Sequence, residues 1–369
     1  MEDFKRISII GMGLIGGSIA LALKKADFSG FIRGQDISIE TLREAKKLGA
    51  IDAYTTCLVD AVQESDLVII ATPMGYYESI FKEIAPYLSS DTLVTDVGSA
   101  KKYPMMLAEA IFPKPIQFIG GHPMAGSERT GIQAASPTLF ENAYYFITPK
   151  EGDADENTEK FKLLIQRLGA YPIVIDSGSH DHITALISHI PHLMAGLLVN
   201  LLDRSDETSY LSYAGGGFRD TTRIASGNPW MWKDILFMNK DEVIRGIEEL
   251  EYDLRAFKMS LDLEEHESIM NTLSRAKEIR DHIPKRMKGA IPGVFEIVLD
   301  VQDRPGILGE ITHVMGNNKI NIKEIEIVHA REGKNGAVRL GFSTVQDQKK
   351  ALAIFREAKY SVSCHEEEK

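Results

Sequence analysis

Residues 7–20 read Ile7-Ser8-Ile9-Ile10-Gly11-Met12-Gly13-Leu14-Ile15-Gly16-Gly17-Ser18-Ile19-Ala20, an apolar strand that runs through glycines into a helix. In such a turn the first glycine makes the bend, the second lets the backbone approach a pyrophosphate, and the third lets helix and strand pack closely. The helix N-terminus then directs unpaired N–H groups at the phosphates. The stretch Gly11–Gly16 therefore predicts a dinucleotide site, the alternative being a glycine turn that binds no phosphate.

A carboxylate after the next strand indicates which dinucleotide is bound. Asp36 follows the strand candidate Gly30–Gln35, where it can accept hydrogen bonds from an adenosine ribose. No arginine immediately follows Asp36, and a 2′-phosphate would be repelled there, so the sequence favours NAD over NADP. We predict that Thr72 and Pro73, in a turn after a later strand, also contact this cofactor.

The composition is that of a globular protein with two or three domains. Of 369 residues, 44% are hydrophobic and 26% are charged, which is ordinary for such proteins. The net charge of −11 argues against nucleic acid or an anionic membrane as the main partner. Cys57 and Cys364 are the only cysteines, which fits a cytoplasmic protein without a disulfide framework. No apolar run approaches 18 residues, so we expect no membrane span.

Residues 1–176 alternate short apolar strands with amphipathic helices, which predicts a Rossmann-type α/β domain on a parallel sheet. Ligands bind beyond the carboxyl ends of such strands, so the turns that follow the strands are candidate site positions. The predicted strands are Ile7–Ile10, Phe31–Gln35, Leu67–Ala71, Leu93–Asp96, Gln117–Gly120, Tyr145–Thr148 and Pro172–Ile175.

Residues 177–289 read as almost entirely helical. A long apolar helix spans Ile183–Leu202 and contains Pro191, which predicts a kink. A second helix has an apolar seam with steps of four and three residues, which requires a partner helix. We predict a homodimer, the alternative being a seam covered within one subunit; the seam is formed by Val243, Ile247, Leu250, Leu254, Phe257 and Leu261.

Residues 290–369 have a different pattern, with elements in the order βαββαβ. Phe295, Ile297, Leu299 and Val301 alternate as a strand, and an amphipathic helix, two strands, a second helix and a last strand follow. That order over about 75 residues predicts a ferredoxin-like domain.

His122 is the sharpest candidate for chemistry. It follows the strand Gln117–Gly120 at the ligand edge of the sheet. A histidine that titrates near neutral pH can take a proton from a substrate hydroxyl while a hydride leaves the same carbon. Ser99, after the strand Leu93–Asp96, could bond both His122 and that hydroxyl. The alternatives are a histidine that bonds loop backbone and a serine that caps a helix.

A glycine-rich segment supplies the candidate anion site. Arg219 and Arg223 follow three consecutive glycines and lie one helical turn apart if the segment is helical. Guanidinium groups suit a carboxylate because they donate paired hydrogen bonds. The same arginines could instead lie on a solvated face or pair with Asp220 or Glu128.

Four histidines, His180, His182, His189 and His192, invite a metal hypothesis. Their spacing matches no metal-binding pattern and no acidic residue completes a ligand set, so we predict no metal. We interpret His189 and His192 as pocket-lining or packing residues. Ser179-His180-Asp181 is contiguous in the chain, unlike a hydrolase triad.

In combination, several motifs resemble the prephenate dehydrogenase family. The resemblance covers about residues 4–290, and residues 290–369 resemble an ACT domain, a pairing similar to the prephenate dehydrogenases of Gram-positive bacteria such as bacilli. The motifs are Gly11–Ser18, Asp96-Val97-Gly98-Ser99-Ala100-Lys101, Gly121-His122-Pro123-Met124-Ala125-Gly126-Ser127-Glu128, Ser188-His189-Ile190-Pro191-His192 and residues 215–225.

This resemblance implies oxidative decarboxylation of prephenate to 4-hydroxyphenylpyruvate by NAD⁺ in tyrosine synthesis. It implies that His122 is the base that binds the ring hydroxyl, that Ser99 assists it and that Arg223 holds a substrate carboxylate. The remaining implied substrate-site residues are His189, His192, Glu128 and Asp220, together with Arg219, which stands where some members carry lysine.

The ACT resemblance implies that L-tyrosine binds between two copies of that domain as a feedback inhibitor; the alternative is a domain that only stabilises the dimer. The implied contacts are Asp303, Arg304, Pro305 and Gly306 of one copy and Asn321 and Ile322 of another. Three other functions stay open: an arogenate or dual cyclohexadienyl dehydrogenase, an NAD-binding regulator without turnover, and a hydroxyacid dehydrogenase.

Overall fold

The computed structural model describes residues 4–126, 129–150, 156–203, 212–283, 295–302, 304–328 and 335–363. The chain forms two compact units, Met1–Ile283 and Pro284–Lys369.

An eight-stranded sheet lies at the centre of the first unit's described residues, in the order β3-β2-β1-β4-β5-β6-β7-β8. Its strands are β1 (Arg6–Ile10), β2 (Phe31–Gln35), β3 (Ala53–Thr55), β4 (Leu67–Ile70), β5 (Leu93–Asp96), β6 (Gln117–Pro123), β7 (Tyr144–Thr148) and β8 (Tyr171–Val174). The helices along this part of the chain are α1 (Leu14–Lys25), α2 (Ile39–Lys47), α3 (Leu58–Val62), α4 (Tyr77–Ile84), α5 (Lys102–Ile111) and α6 (Glu156–Arg167). The Rossmann-type architecture predicted from the sequence is confirmed.

Two details of the sheet differ from the prediction. Strand β3 was not predicted, because three residues are too few to show a period. The sheet is also not wholly parallel, since β7 runs antiparallel to β6, with Gly120 opposite Thr148 and Pro123 opposite Tyr145. A parallel step needs a crossover, usually a helix, whereas the described residues between these strands contain only the 3₁₀ turn Ile132–Ala134.

The core lies on both faces of the sheet because alternate strand residues point to opposite sides. Ile9 and Ile69 belong to the cluster on one face. Ile10 and Ile70 belong to the cluster on the other face, which also contains Phe81. Burying such a side chain contributes about 1.5–3 kcal/mol, so the sheet is a stable support for the turns at its carboxyl edge.

The described residues between 177 and 283 are mostly helical, as predicted. The helices are α7 (Ser177–Thr184), α8 (Ile190–Asp203), α9 (Gly216–Thr222), α10 (Pro229–Met238), α11 (Lys240–Asp262) and α12 (His266–His282). A π-helical turn, Ala185–His189, joins α7 to α8. The irregularity therefore precedes Pro191, which is the second residue of α8, where the missing proline N–H is well tolerated.

The apolar seam of α11 is covered only in part. Val243, near its start, is 6% exposed, whereas Leu254 and Leu261 are 60% and 55% exposed. Helix α12 adds further exposed apolar side chains, among them Met270 and Leu273. These two helices therefore present an apolar surface that the described residues of this unit do not bury.

Among the described residues, the helical segment Ser177–Leu202 is long and apolar enough to cross a membrane by length and composition alone, and 22% of its most apolar window is buried. The expectation of no membrane span was drawn from long uninterrupted apolar runs, which this helix does not contain, and it stays a prediction. The same segment contains His180 and Asp181, both fully buried, and ionisable groups of this kind are costly in lipid.

The second unit is the predicted ferredoxin-like fold. Its described elements are β9 (Phe295–Gln302), α13 (Ile307–Asn317), β10 (Glu324–Val328), β11 (Asn335–Phe342), α14 (Val345–Glu357) and β12 (Ser361–Ser363). The strands pair antiparallel in the order β10-β11-β9-β12. Ile297 and Leu299 of the sheet pack with Ile311 of α13 and Phe355 of α14 in one core.

Candidate active site

The glycine turn after β1 has the geometry of a phosphate cradle. Gly11 has φ +93°, and a Cβ atom there would lie 2.7 Å from the carbonyl oxygen of Ala71. A Cβ on Gly16 would lie 2.0 Å from the carbonyl oxygen of Gly11, so α1 can approach the strand only with glycine at this position. At Gly13, by contrast, a Cβ would meet no atom within 4 Å, which leaves the backbone open to a ligand.

The backbone N–H groups at the start of α1 are not bonded by any side chain of the helix itself. Its first turn contains no acidic residue, and no side chain caps it. Backbone N–H groups at such a terminus are available to an anion. Leu14 and Ile15 lie in this first turn, and Met12 lies in the glycine turn before it; contact of these residues with a cofactor stays a prediction.

Asp36 lies beside the cradle, as its position after β2 predicts. Its carboxylate accepts hydrogen bonds from the backbone N–H of Met12 at 2.9 Å and of Ser38 at 2.9 Å. These bonds orient the carboxylate at the edge where a ribose would lie. Thr72 follows β4 on the same edge, and its buried Oγ1 atom has no hydrogen-bond partner among the described residues. Pro73 comes next and caps a 3₁₀ turn at Met74–Tyr76.

His122 occupies a different position from the one predicted. Strand β6 continues to Pro123, so His122 is a strand residue and not a turn residue, paired with Phe146 of β7. Its side chain is 8% exposed. Burial lowers the pKa of His122 well below its usual value, and the neighbouring charges of His180, Lys101 and His189 act in the same direction. The imidazole is therefore neutral at physiological pH.

A hydrogen-bonded chain extends from His122 into the helical part of the unit. Its Nδ1 atom lies 2.9 Å from Nε2 of His180, and Nδ1 of His180 lies 2.8 Å from Oδ1 of Asp181. Asp181 in turn accepts the backbone N–H groups of Lys101 at 2.6 Å and Lys102 at 2.9 Å. The chain thus ends at the N-terminus of α5.

A fully buried ion pair supports the same edge. Nζ of Lys101 lies 2.5 Å from Oδ2 of Asp96 and 2.6 Å from the carbonyl oxygen of Gly121. Asp96 also accepts hydrogen bonds from the Tyr77 hydroxyl and the Gly121 backbone N–H. Burial lowers the pKa of Lys101, while the Asp96 charge opposes that shift. The pair ties the end of β5 to the residue that precedes His122.

Sequence reasoning missed His180, Asp181, Lys101 and Asp96 as site residues. His180 was considered only as a possible metal ligand or triad member, Asp181 only as a triad member, and Lys101 and Asp96 only as parts of a motif. The sequence did contain a signal for these residues, because they are charged or ionisable side chains within apolar stretches. Such side chains are rarely buried unless they are paired, so their position indicates buried partners.

Ser99 lies in the loop between β5 and α5, half-buried, but it does not cap the helix. The N-cap residue of α5 is Lys101, and the carboxylate of Asp181 takes the first N–H groups instead. The helix-cap alternative for Ser99 is therefore wrong. Nδ1 of His122 bonds His180, so any bond from Ser99 to His122 has to use the other ring nitrogen.

His189 and His192 both contact the ring of Trp232. The His192 ring stacks on the indole at 3.5 Å between centroids, and the His189 ring meets it edge-on at 6.3 Å. His189 is fully buried, and its Nδ1 lies 3.1 Å from the Asn239 side chain. Burial lowers the pKa of His189 to about 4 and also lowers that of His192. Both rings are therefore neutral near pH 7.

The arginine segment is helical, with Arg219 and Asp220 in α9 and Arg223 at the start of the 3₁₀ turn Arg223–Ser226. All three side chains are exposed. The 3₁₀ turn packs against α8, the helix that carries His192. Glu128, the remaining predicted substrate residue, lies outside the described residues.

The second unit contains a cavity of about 330 Å³ beside the start of α13. Arg304 and Gly306, two of the six predicted effector residues, line it together with Ile307, Leu308, Gly309 and residues of β9, β10 and β11. Pro305, Asn321 and Ile322 are not among the lining residues, and Asp303 lies outside the described part of the chain. Among the described residues, no group of three His, Cys, Asp or Glu side chains is placed to hold a metal.

Comparisons with known proteins agree with this architecture. The family described as "Prephenate dehydrogenase, nucleotide-binding domain" matches residues 19–174, "Prephenate dehydrogenase, dimerization domain" matches 176–275 and "ACT domain" matches 295–360. The chain is 40% identical to the prephenate dehydrogenase of Bacillus subtilis (strain 168) over 94% of each protein. It is 35% identical to that of Lactococcus lactis subsp. cremoris over 96% of this chain and 98% of the relative.

A solved structure shows the same likeness in three dimensions. Prephenate dehydrogenase from Aquifex aeolicus, in complex with hydroxyphenyl propionate and NAD⁺, superposes with a TM-score of 0.72 at 33% identity. The match covers 76% of this chain and 99% of that one.

Proposed function

The chain belongs to the prephenate dehydrogenase family, and on that premise we propose that it catalyses the NAD-dependent oxidative decarboxylation of prephenate. The products are 4-hydroxyphenylpyruvate, CO₂ and NADH, and the reaction is a step of L-tyrosine synthesis. The observation that carries the proposal is the buried, neutral imidazole of His122 at the carboxyl edge of a dinucleotide-binding sheet. Such a group can accept the proton of a hydroxyl whose carbon loses a hydride.

NAD⁺ fits the cradle on two independent grounds. The open backbone at Gly13 and the uncapped start of α1 suit a pyrophosphate. The oriented carboxylate of Asp36 suits the two hydroxyls of an adenosine ribose and would repel a 2′-phosphate. When bound, NAD⁺ supplies the hydride acceptor, and Thr72 has a buried hydroxyl available to it on the same edge.

In the proposed reaction His122 first accepts a proton from the substrate and then returns it to the product. Nε2 of His122 takes the proton of the C4 hydroxyl as the C4 hydride leaves, which yields a ring carbonyl. The C1–carboxylate bond then breaks, CO₂ departs, and its electron pair makes the ring aromatic with a phenolate oxygen. His122 returns the proton to that oxygen, so the reaction releases no net proton. General base work of this kind contributes about 10²–10⁴ in rate.

We assign the substrate contacts to the helical part of the unit and to the loop between β5 and α5. Arg223 holds a carboxylate of prephenate, and Ser99 assists at the hydroxyl. Support for Arg223 comes from its 3₁₀ turn, which packs on the helix of His192; a Cβ on Gly227, which follows that turn, would lie 3.0 Å from the His192 ring. His189 and His192 line the substrate pocket in this assignment, Asp220 lies near its entrance, and Arg219 is a further candidate contact.

The active form in this proposal is a homodimer. A family described as a dimerization domain matches residues 176–275, and α11 and α12 expose apolar side chains such as Leu254 and Leu273. Monomeric proteins rarely expose large contiguous apolar patches, so a second copy is the natural cover for this surface.

The ACT domain binds L-tyrosine as a feedback inhibitor in this proposal. The cavity beside α13 offers the start of a helix, where Gly306 is the N-cap with φ +90°, and the guanidinium of Arg304. Both features suit the carboxylate of an amino acid. Arg304 is bonded to Glu310 by two hydrogen bonds, at 2.9 and 2.6 Å, so an incoming carboxylate would have to compete with that pair.

A cytoplasmic location completes the proposal. Cys57 is an exposed free thiol, and such thiols persist in a reducing compartment. The pyridine nucleotide that the reaction consumes is also regenerated there.

A steady-state assay with prephenate and NAD⁺, with and without L-tyrosine, tests these assignments. We expect growth of the NADH absorbance with release of CO₂ in equal amount, and a decrease in rate on adding tyrosine. A higher kcat/KM for arogenate than for prephenate would assign the alternative substrate. Binding of NAD⁺ without turnover of either compound would contradict the enzymatic function.

A further inference from the structure

The hydrogen bonds around His180 restrict which protons the two buried histidines can carry. Asp181 has both carboxylate oxygens occupied by donors, with Oδ1 accepting the Lys101 N–H and Oδ2 accepting the Lys102 N–H. A protonated carboxyl would place its own hydrogen against one of these donors. Asp181 is therefore the ionised acceptor at the end of the hydrogen-bonded series His122–His180–Asp181.

An ionised Asp181 determines the tautomer of His180. Its Oδ1 lies 2.8 Å from Nδ1 of His180, and two acceptors at that distance would repel each other, so Nδ1 must carry a hydrogen. A doubly protonated ring is disfavoured because burial lowers the pKa of His180. Nε2 of His180 therefore presents a lone pair.

That lone pair in turn determines the tautomer of His122. Nε2 of His180 and Nδ1 of His122 lie 2.9 Å apart, so His122 must donate from Nδ1. A neutral imidazole with its hydrogen on Nδ1 has its lone pair on Nε2, which is the form that accepts a proton. The opposite tautomer would offer an N–H to the substrate hydroxyl and could not act as its base.

We propose that His180 is a positioning residue for His122, and that the carboxylate of Asp181, held by the first backbone N–H groups of α5, selects the proton-accepting tautomer of His122. This inference rests on the proposed function for its kinetic consequence but not for its structural content. When Nε2 of His122 takes the substrate proton, the bond from Nδ1 to His180 strengthens because the donor becomes charged. The proton itself stays on His122 and returns to the product oxygen, so no further acceptor is needed.

The surrounding contacts favour a positioning role over simple packing. Asn239 donates to the backbone carbonyl of Asp181 at 2.7 Å, and Thr184 bonds the carbonyl of His180 at 3.0 Å. His180 also meets Phe146 of β7 edge-on at 5.4 Å between centroids. The first two contacts fix the backbone that carries His180, and Phe146 contacts the ring itself, so the imidazole has a defined place beside His122.

Neutron diffraction from crystals of the full-length wild-type protein at neutral pD tests the structural claim without reference to turnover. We expect deuterium on Nδ1 of both His122 and His180 and none on Nε2 of His122. Deuterium on Nε2 of His122 with an empty Nδ1 would overturn the proposal, whatever reaction the protein catalyses.

Two substitutions of similar volume test the kinetic consequence. In His180→Gln the side-chain carbonyl can still accept the Nδ1–H of His122, whereas in His180→Leu nothing can. We expect His180→Leu to lower kcat by about 10²-fold or more, within the range of general base catalysis, and His180→Gln to retain most of it. The KM for NAD⁺ should change less than about twofold in both variants, because His180 does not lie at the phosphate cradle.

A double variant separates positioning from structural damage. In a His122→Asn variant there is no imidazole at position 122 whose tautomer His180 could select. Adding His180→Leu to that variant should therefore lower kcat no further. Equal losses in His180→Gln and His180→Leu, or a full additional loss in the double variant, would reject the positioning role. Absence of prephenate turnover in the wild type would instead reject the proposed function and leave the neutron result standing.

Discussion

The Nζ atom of Lys101 lies 2.5 Å from Oδ2 of Asp96, and neither side chain has any exposed surface. This pair is the electrostatic support of the catalytic edge, because the same Nζ donates to the carbonyl oxygen of Gly121, the residue before His122. Removing one partner would leave an uncompensated charge in the interior.

Lys101→Met should therefore lower the free energy of unfolding by about 3–5 kcal/mol, the usual cost of breaking a buried ion pair. Urea unfolding of the full-length protein measures this. Lys102→Met is the matched control, since the neighbouring lysine is half exposed and pairs with Glu242; it should cost about 1 kcal/mol or less. Similar decreases in the free energy of unfolding in the two variants would show that the buried pair stabilises the fold no more than the exposed one.

His122→Asn should lower kcat by about 10²–10⁴ with little change in NAD⁺ affinity, because the asparagine cannot take the substrate proton. Stopped-flow or steady-state measurement of NADH formation gives kcat, and fluorescence titration gives NAD⁺ affinity. Near-normal turnover would remove His122 from its role as the base.

Arg223→Ala should weaken prephenate binding by about 1.5–3 kcal/mol, the strength of a hydrogen bond to a charged group. The KM for prephenate should rise by the corresponding factor, and the KM for NAD⁺ should stay unchanged. Arg223→Lys should recover part of the loss. Arg255→Ala is a suitable control because Arg255 is exposed on α11 and pairs with Glu251 on the same helix. An unchanged KM for prephenate would place Arg223 outside the pocket.

Stability should decrease as the pH falls below about 6.5, because buried histidines are held neutral in the fold. The pKa of His189 is about 4 in the folded chain and near 6.5 in its ordinary state, so the unfolded chain binds more protons between these values. The stabilisation is complete above pH 6.5 and is lost progressively down to pH 4, by up to about 1.4 kcal/mol per pH unit for each such histidine.

Urea midpoints at pH 7.5 and 5.5 measure that slope. His189→Gln should flatten it, whereas His266→Gln, at an exposed position on α12, should leave it as in the parent. The comparison between the two variants removes the contribution of carboxylates, which they share. An identical slope in His189→Gln and the parent would contradict the assignment.

Gly309→Val should weaken inhibition by tyrosine at least about tenfold without lowering kcat. Gly309 lines the cavity of the second unit, and a Cβ there would meet no atom within 4 Å, so the larger side chain can enter the cavity without strain in its surroundings. Gly316→Val is the matched control, on the same helix with equally open space but away from the cavity lining. Unaltered inhibition in Gly309→Val would move the effector site elsewhere.

The sequence alone determined the architecture and the cofactor edge of this protein. Glycine spacing, strand alternation and the position of Asp36 are local properties, because each depends on residues that are neighbours in the chain or on one element's period. For that reason the dinucleotide turn, most strands and the βαββαβ order could be predicted from the residues, and His122 could be selected as the chemical group.

The tertiary structure decided the surroundings of that group. The strand β6 extends through His122 because β7 pairs with it antiparallel, and no periodicity in the chain reports that pairing. The chain from α5 through Asp181 and His180 to His122 joins residues 58 to 80 positions apart. Hydrogen bonds of this kind depend on the packing of one helix against another and on burial that removes water, and both arise only when the whole unit has folded.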